Sequence, residues 1–101
     1  AYLDPAIVSY AVRLAAATRE HAAVRYGASP RGSIALVRAA QAMAATEGRA
    51  FVTPDDVKSV AQPVLAHRLV LTADAELNQR SSSEVVDEVL AATPAPAINQ
   101  I

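Results

Sequence analysis

The sequence predicts an all-α protein, a small helical bundle of about four to five helices in one domain. The composition is 52% apolar and only 4% aromatic, and it is dominated by alanine, which favours helices and offers little to a pleated sheet. A capping residue followed by proline, the signature of a helix start, stands before a helical pattern at three places, Asp4-Pro5, Ser29-Pro30 and Thr53-Pro54. Apolar residues recur at helical spacing after each of these pairs. A chain of 101 residues is long enough for one modest core.

Charge and cysteine content exclude several classes of function. Nine basic and ten acidic residues leave a net charge of −1, so no overall field would attract nucleic acid or an anionic membrane. The absence of cysteine excludes disulfides and thiolate metal sites and suits the cytoplasm, where we expect the protein. Arginines interrupt every apolar run before it reaches the roughly 18 residues that span a bilayer, so we expect no membrane insertion. The chain opens on Ala1 and enters a helical pattern almost at once, which indicates a piece of a longer protein.

The first two predicted helices are the longest. Helix one should run from Pro5 to about Arg19, and a connecting loop should follow from Glu20 to Ala28. Helix two should run from Pro30 to about Glu47 and end at Gly48 in the left-handed conformation. Helix two is apolar around most of its circumference, which is typical of a central helix with neighbours on several sides.

The middle of the chain is interrupted by a proline. Helix three should start at the Thr53 cap and break near Gln62, because Pro63 cannot donate the helical hydrogen bond. A short fourth helix should then cover Pro63 to His67. Two extended pieces flank this region and could form a minimal two-stranded pairing, Phe51-Val52 with Leu69-Leu71.

The C-terminal part is predicted to hold one helix after a mobile loop. The loop should cover Thr72 to Ser83, a polar stretch without a clear period. Ser83 should cap a last helix that reaches about Ala92. Pro94 and Pro96 follow, so the helical domain should cover residues 1–92 and residues 93–101 should be a disordered tail or an added remnant.

Few residues are candidates for chemistry. There is no glycine-rich phosphate loop, and Lys58 lies on a predicted surface helix. His21 and His67 lack carboxylate partners at ligand spacing, so we expect no metal site. Asp55 and Asp56 are neighbours that point about 100° apart on a helix, and both suit its first turn.

Arg31 is the remaining candidate, because it falls in the first turn of helix two. A cation there opposes the helix dipole, which costs about 0.3–1 kcal/mol at an exposed site. An anion such as phosphate would be favoured at the same place, since the amide donors, the dipole and the guanidinium all attract it. The alternative is a solvated arginine without a ligand.

Four stretches resemble the C-terminal lid subdomain of MoxR-type AAA+ ATPases. They are Gly27-Ala28-Ser29-Pro30-Arg31, Ile34 to Ala40, Val52-Thr53-Pro54-Asp55-Asp56-Val57 and Val64 to Leu69. The resemblance runs from about Tyr2 to Leu71 and more loosely to Leu90. The stretch from Gly27 to Arg31 is specific when it is followed by the stretch from Val52 to Val57 at this distance in the sequence. The stretch from Val52 to Val57 alone also occurs in other helical modules.

The resemblance implies a role for each candidate residue. Arg31 would be the sensor 2 arginine, which approaches the terminal phosphate of ATP. Gly27, Ser29 and Pro30 would position it, with Gly27 allowing the loop to turn. Arg38 would face the nucleotide-binding domain or a neighbouring subunit.

The family's Walker A, Walker B, sensor 1 and arginine finger belong to a preceding α/β domain and are not found in this sequence. This chain alone would therefore neither hydrolyse ATP nor hold a cofactor. The full-length relative would use ATP with Mg, form a ring of like subunits and remodel other proteins as a chaperone-like ATPase. Its partner often carries a von Willebrand factor A domain.

Two other classes of function compete with this interpretation. A stand-alone helical interaction module would bind a partner helix in a groove beside helix two. A histone-like or helix-turn-helix DNA binder has similar helix lengths, but the near-neutral charge and the single lysine disfavour it.

Overall fold

The computed structural model describes residues 2–97. Along the chain these form five α-helices, two short strands and one 3₁₀ turn. In order they are α1 (Pro5–Glu20), β1 (Val24–Tyr26), α2 (Pro30–Thr46), α3 (Pro54–Leu65), the 3₁₀ turn (Ala66–Arg68), β2 (Val70–Leu71), α4 (Ala73–Leu77) and α5 (Ser82–Ala92). The predicted helical bundle is confirmed, and it contains a minimal two-stranded pairing.

All three predicted proline starts are helix starts in the structure. Asp4, Ser29 and Thr53 are the N-caps of α1, α2 and α3, and each side chain accepts a hydrogen bond from a backbone amide of the first turn. The end of α2 also follows the prediction, because Gly48 adopts a φ of +71° just after the helix. These starts and this stop are local signals, which is why the sequence alone locates them.

Helix α2 packs against both α3 and α1, and α5 packs against α1 and α3. The core is built from small and branched side chains with less than a tenth of their surface exposed. Its largest members on the helices are Ile7, Tyr10 and Leu14 from α1, Leu36 from α2, Val57 and Leu65 from α3, and Val85 and Val86 from α5. Alanines at Ala40 and Ala44 are fully buried on α2, which allows the helices to approach closely.

The strand pairing differs from the prediction in its partners. β2 pairs antiparallel with β1, in a register that joins Val24 to Leu71 and Tyr26 to Val70. The predicted loop Glu20–Ala28 therefore contains a strand. Phe51 instead forms an isolated parallel bridge with Tyr2, because the extended residues before Asp4 lie alongside it.

The predicted break near Gln62 is wrong, since α3 continues through Pro63 to Leu65. Val60, Ala61 and Leu65 are buried in the core, and their packing holds the helix on both sides of the proline. The hydrogen bond that Pro63 cannot make would go to the carbonyl of Ser59, and both residues are exposed, so water can take its place. The predicted helix Pro63–His67 is thus the end of α3 followed by the 3₁₀ turn.

The segment Thr72–Ser83 is not a loop throughout, because it contains the five-residue helix α4 with Thr72 as its N-cap. The last helix begins two residues earlier than predicted. Ser81 is its cap, in a reciprocal capping box with Glu84. Beyond α5, Arg13 Nη1 donates a hydrogen bond to the Pro94 carbonyl over 3.0 Å. The predicted tail continues to residues 98–101, which lie outside the described residues.

Candidate functional site at the start of α2

The candidate site is the first turn of α2 and the loop that leads into it. Ser29 has the extended backbone of an N-cap, and its Oγ accepts a hydrogen bond from the Arg31 amide over 3.2 Å. The Gly32 amide donates to the Ser29 carbonyl over 2.8 Å. Pro30 occupies the first helical position, where it has no donor to lose. The amides of Arg31 and Gly32 are therefore already used inside the turn.

Arg31 itself is exposed at this turn. Among residues 2–97, its guanidinium has no hydrogen-bond or ion-pair partner. The sequence suggested that free amides and the guanidinium would together attract an anion. Since two of those amides are occupied, the guanidinium and the helix dipole are the groups left to attract it.

Gly27 is needed for close packing and not for a left-handed turn. A Cβ at this position would lie 2.6 Å from the Cα and from the backbone N of Arg19. Any side chain there would therefore push the loop away from α1. Gly48 is the glycine of the described residues that adopts a positive φ.

Ala28 is fixed to the last turn of α1 at both of its backbone groups. Its amide donates to Thr18 Oγ1 over 2.9 Å, and its carbonyl accepts from Arg19 Nη1. The Thr18 hydroxyl in turn donates to the Ala15 carbonyl over 2.6 Å. Both Thr18 and Ala28 are almost fully buried, at 0% and 1% exposure. Sequence analysis missed these contacts, because no local motif connects residues nine or ten positions apart.

A third arginine, Arg68, lies beside the same turn. The Arg68 side chain lies against the start of α2, since a Cβ at Gly32 would be in ordinary van der Waals contact with Arg68 Cδ, at 3.6 Å. Arg68 Nε donates to the Val64 carbonyl over 3.1 Å. The start of α2 is thus flanked by the guanidinium-bearing side chains of Arg19, Arg31 and Arg68.

Arg38 lies on the exposed face of α2 that also carries Arg31 and Ile34. It lines a groove of about 270 Å³ between α1 and α2. The apolar part of its wall comes from Val8, Val12, Ile34 and Val37, of which Val12 and Ile34 are about half exposed, at 48% and 53%. The structure therefore places the predicted interface residue beside an exposed apolar surface.

Of the acidic pair at the start of α3, Asp56 has a structural role, whereas Asp55 is exposed. Asp56 is buried, at 3% exposure, and its carboxylate accepts hydrogen bonds from the Thr53 amide over 2.8 Å and from the Arg49 guanidinium. The Arg49 hydrogen bonds hold the pKa of Asp56 below its ordinary value of 3.8, against the opposing effect of burial. Arg49 also pairs with Glu47.

The sequence offered no carboxylate partner for His21, but the structure places one beside it. His21 Nε2 lies 2.7 Å from Glu88 Oε1, and Arg80 Nη2 lies 2.7 Å from Glu88 Oε2. These contacts lower the pKa of Glu88 and connect α5 to the end of α1. His67 and Lys58 are exposed. Among residues 2–97, no three His, Cys, Asp or Glu side chains are grouped to hold a metal ion.

Comparison with known proteins identifies the class of protein to which this helical fold belongs. The AAA lid domain family matches residues 16–89. The chain belongs to this family. Within residues 2–97, no helix is both long enough and apolar enough to cross a membrane.

The relatives specify the branch of the family. The chain is 38% identical to chaperone MoxR1 of Mycobacterium tuberculosis over 99% of its length, and 41% identical to protein MoxR of Paracoccus denitrificans over 93%. It is 40% identical to protein YeaC of Bacillus subtilis over 92%. It therefore corresponds to the C-terminal lid region of a MoxR-type AAA+ ATPase, as the resemblance implied.

A solved structure agrees with this assignment. A protein of Cytophaga hutchinsonii assigned as an ATPase superposes with a TM-score of 0.88 over 94% of the chain, at 32% identity. The chain spans 32% of the length of that protein. It spans 29% of the length of MoxR1, 27% of that of MoxR and 29% of that of YeaC. It thus covers less than a third of each.

Proposed function

We propose that this lid supplies Arg31 as a sensor 2 arginine to the terminal phosphate of ATP, which the nucleotide-binding domain of the full-length protein holds. The observation that carries the proposal is the exposed Arg31 guanidinium at the N-terminus of α2, without a carboxylate partner among residues 2–97. An arginine in this position lowers the stability of the lid. Binding of an anionic ligand outside the described chain would explain why an arginine stands there. ATP with Mg is the cofactor that the AAA+ family implies.

The chemistry asked of Arg31 is electrostatic. In phosphoryl transfer, negative charge develops on the oxygens of the transferred group, and a fixed guanidinium stabilises that charge. Arg31 would make its strongest contact when the γ-phosphate is present and lose it after hydrolysis. The lid would then change its position as a rigid body, and neighbouring subunits of a ring would respond.

The partners of the lid in the full-length protein are proposed from its membership of the MoxR branch of the AAA+ family. MoxR1 is described as a chaperone, which supports a remodelling ATPase as the full-length protein. Arg38 and the apolar groove beside it would contact the nucleotide-binding domain or a neighbouring subunit. A von Willebrand factor A domain partner and a cytoplasmic location complete the proposal, and neither nucleic acid nor membrane insertion enters it.

The test is Arg31→Ala in the full-length ATPase, with Arg31→Lys beside it. We expect kcat to fall by at least about a hundredfold in Arg31→Ala, while the circular dichroism spectrum stays unchanged and the melting temperature does not fall. Arg25→Ala is the matched control, since Arg25 is a nearby exposed arginine that stacks on Tyr26. Turnover unchanged at saturating ATP would contradict the proposal. For the lid alone we expect no ATPase activity and at most feeble nucleotide binding, measured by titration calorimetry.

The groove also supports a second candidate function, a stand-alone module that binds a partner helix. Its apolar wall of Val8, Val12 and Ile34 suits the apolar face of an amphipathic helix. The two functions differ in what covers the groove. Protection of these residues in the full-length protein without a partner, measured by hydrogen exchange, would favour the lid. Exposure there would favour the module.

A further inference from the structure

We infer that Thr18 and Arg19, at the end of α1, are positioning residues for Arg31. The inference rests on the proposed function, because it gives these residues a role in the reaction only if Arg31 has one. Neither residue would touch the nucleotide. They would act through Ala28, which precedes the N-cap of α2 by one residue.

The first step of the argument is that Ala28 is held on three sides. Thr18 Oγ1 accepts from its amide over 2.9 Å, and Arg19 Nη1 donates to its carbonyl. Its methyl group packs against the first turn of α2, where a Cβ at Gly32 would lie 2.9 Å away. The peptide groups on both sides of its Cα and its side chain are thus fixed.

The second step is that little freedom remains between Ala28 and Arg31. Ser29 is fixed as the N-cap by its hydrogen bond with the Arg31 amide, and Pro30 has a locked φ. A displacement of Ala28 would therefore be passed to the first turn of α2. Loss of about 1 Å of alignment at a reacting group can cost on the order of a hundredfold in rate.

The third step concerns the chemistry of Thr18. Its hydroxyl donates to the Ala15 carbonyl and accepts from the Ala28 amide, at 0% exposure. Serine can make both hydrogen bonds. Valine has the same shape but can make neither, so it would leave a buried amide without a partner.

The hydroxyl is tested with Thr18→Val and Thr18→Ser in the full-length ATPase. We expect Thr18→Val to lower kcat by about tenfold, with KM for ATP within twofold, and Thr18→Ser to retain nearly full activity. Thr46→Val is a matched control, because Thr46 Oγ1 donates to the Ala42 carbonyl at the far end of α2. Val86→Ala controls for destabilisation, because Val86 is a fully buried residue on α5.

The arginine is tested with a second matched pair, which does not disturb the core. Arg19→Met and Arg13→Met each remove a guanidinium of α1 that donates to a backbone carbonyl, that of Ala28 or Pro94. We expect Arg19→Met to lower kcat by a few-fold and Arg13→Met to leave it unchanged. The double variant Thr18→Val/Arg31→Ala should be no slower than Arg31→Ala alone, since both changes remove the same contribution.

The outcomes separate this inference from the proposed function. If Arg31→Ala abolishes turnover while Thr18→Val and Arg19→Met leave kcat unchanged, only the inference is wrong. It is also overturned if Thr18→Val slows the enzyme no more than a Val86→Ala variant with an equal loss of melting temperature. If Arg31→Ala leaves turnover unchanged, both are wrong.

Discussion

The starts of α2 and α3 have the same sequence design and opposite electrostatics. Each begins with a hydroxyl cap and a proline, Ser29-Pro30 or Thr53-Pro54. In α3 the first turn carries Asp56, which completes a capping box with Thr53 and pairs with Arg49. In α2 the first turn carries Arg31, which has no such partner among residues 2–97.

The difference concerns the group that neutralises the charge in the first turn of each helix. The charge at the start of α3 complements the helix dipole and is neutralised within the lid, so this turn contributes to stability. The charge at the start of α2 opposes the dipole and faces solvent in the lid. A counterpart outside the lid explains that arrangement, and the phosphate of ATP is the one we propose. Substitutions at the two starts should therefore affect different properties.

The largest expected effect on stability comes from Asp56→Ala in the lid. This change removes the capping box and leaves the Arg49 guanidinium without its buried partner. We expect the free energy of unfolding to fall by roughly 2 kcal/mol. The measurement is urea denaturation, with Arg31→Ala as the matched first-turn variant of α2, which should not lose stability. An equal loss in both variants would contradict the contrast between the two starts.

Acid should weaken the start of α3 by a smaller amount, because it removes the charge of Asp56 and leaves the side chain in place. The pKa of Asp56 is lower in the folded state than its ordinary value of 3.8. Its contribution to stability is therefore present above about pH 4 and is lost as the pH falls through the folded-state value.

Urea denaturation between pH 7 and pH 3 measures this loss. Glu88 contributes in the same direction, because His21 and Arg80 also lower its pKa. The informative comparison is with Asp56→Asn, which keeps the Glu88 contribution and should lose less stability in acid. Identical pH profiles would show that the Arg49–Asp56 pair does not stabilise the fold.

The N-caps of α3 and α2 should also differ in how much each stabilises the lid, although this difference is smaller. Thr53→Ala removes a hydroxyl from a reciprocal capping box, and we expect a loss of about 1 kcal/mol. Ser29→Ala removes one exposed hydrogen bond of 3.2 Å, and about 0.5 kcal/mol is expected. Thermal denaturation of both variants measures the margin. A greater loss for Ser29→Ala would mean that the start of α2 is the more stabilising one.

The sequence predicts these helix starts because caps and prolines act within a few residues. It does not predict the β1–β2 pairing, which joins Val24 to Leu71, because these residues are far apart in sequence and no local signal connects them. Helix α4 was missed because five residues are too few to show a helical period. The break at Pro63 was expected from local chemistry, but tertiary packing of Val60 and Leu65 outweighs it.

The residues of the candidate site also fall into those that local sequence predicts and those that depend on tertiary contacts. Arg31 is visible in the sequence because a cation in a first turn conflicts with a local rule. The reason for Gly27 is not visible, since it depends on how closely the loop approaches Arg19. The contacts of Thr18 and Arg19 with Ala28 are likewise tertiary. The sequence therefore draws attention to Arg31, which we propose to meet the phosphate, and the structure adds the Ala28 contacts that we propose to position it.

The smallest expected effect is a gain in stability. Arg31→Glu places an acid in the first turn of α2, as Asp56 does in α3, and should stabilise the lid by about 0.5 kcal/mol through the helix dipole. The gain should shrink as salt is added, since the site is exposed. Arg31→Gln separates removal of the cation from addition of the anion, and should give about half of the gain.

The same substitution should abolish turnover in the full-length ATPase, because a carboxylate would repel the phosphate that Arg31 is proposed to contact. A lid that becomes more stable while its enzyme becomes inactive would show that the cation at the start of α2 serves the reaction at a cost to the fold. Two results would contradict this. Loss of stability in Arg31→Glu would mean that Arg31 already has a stabilising role within the lid. Retained turnover would mean that no phosphate approaches this turn.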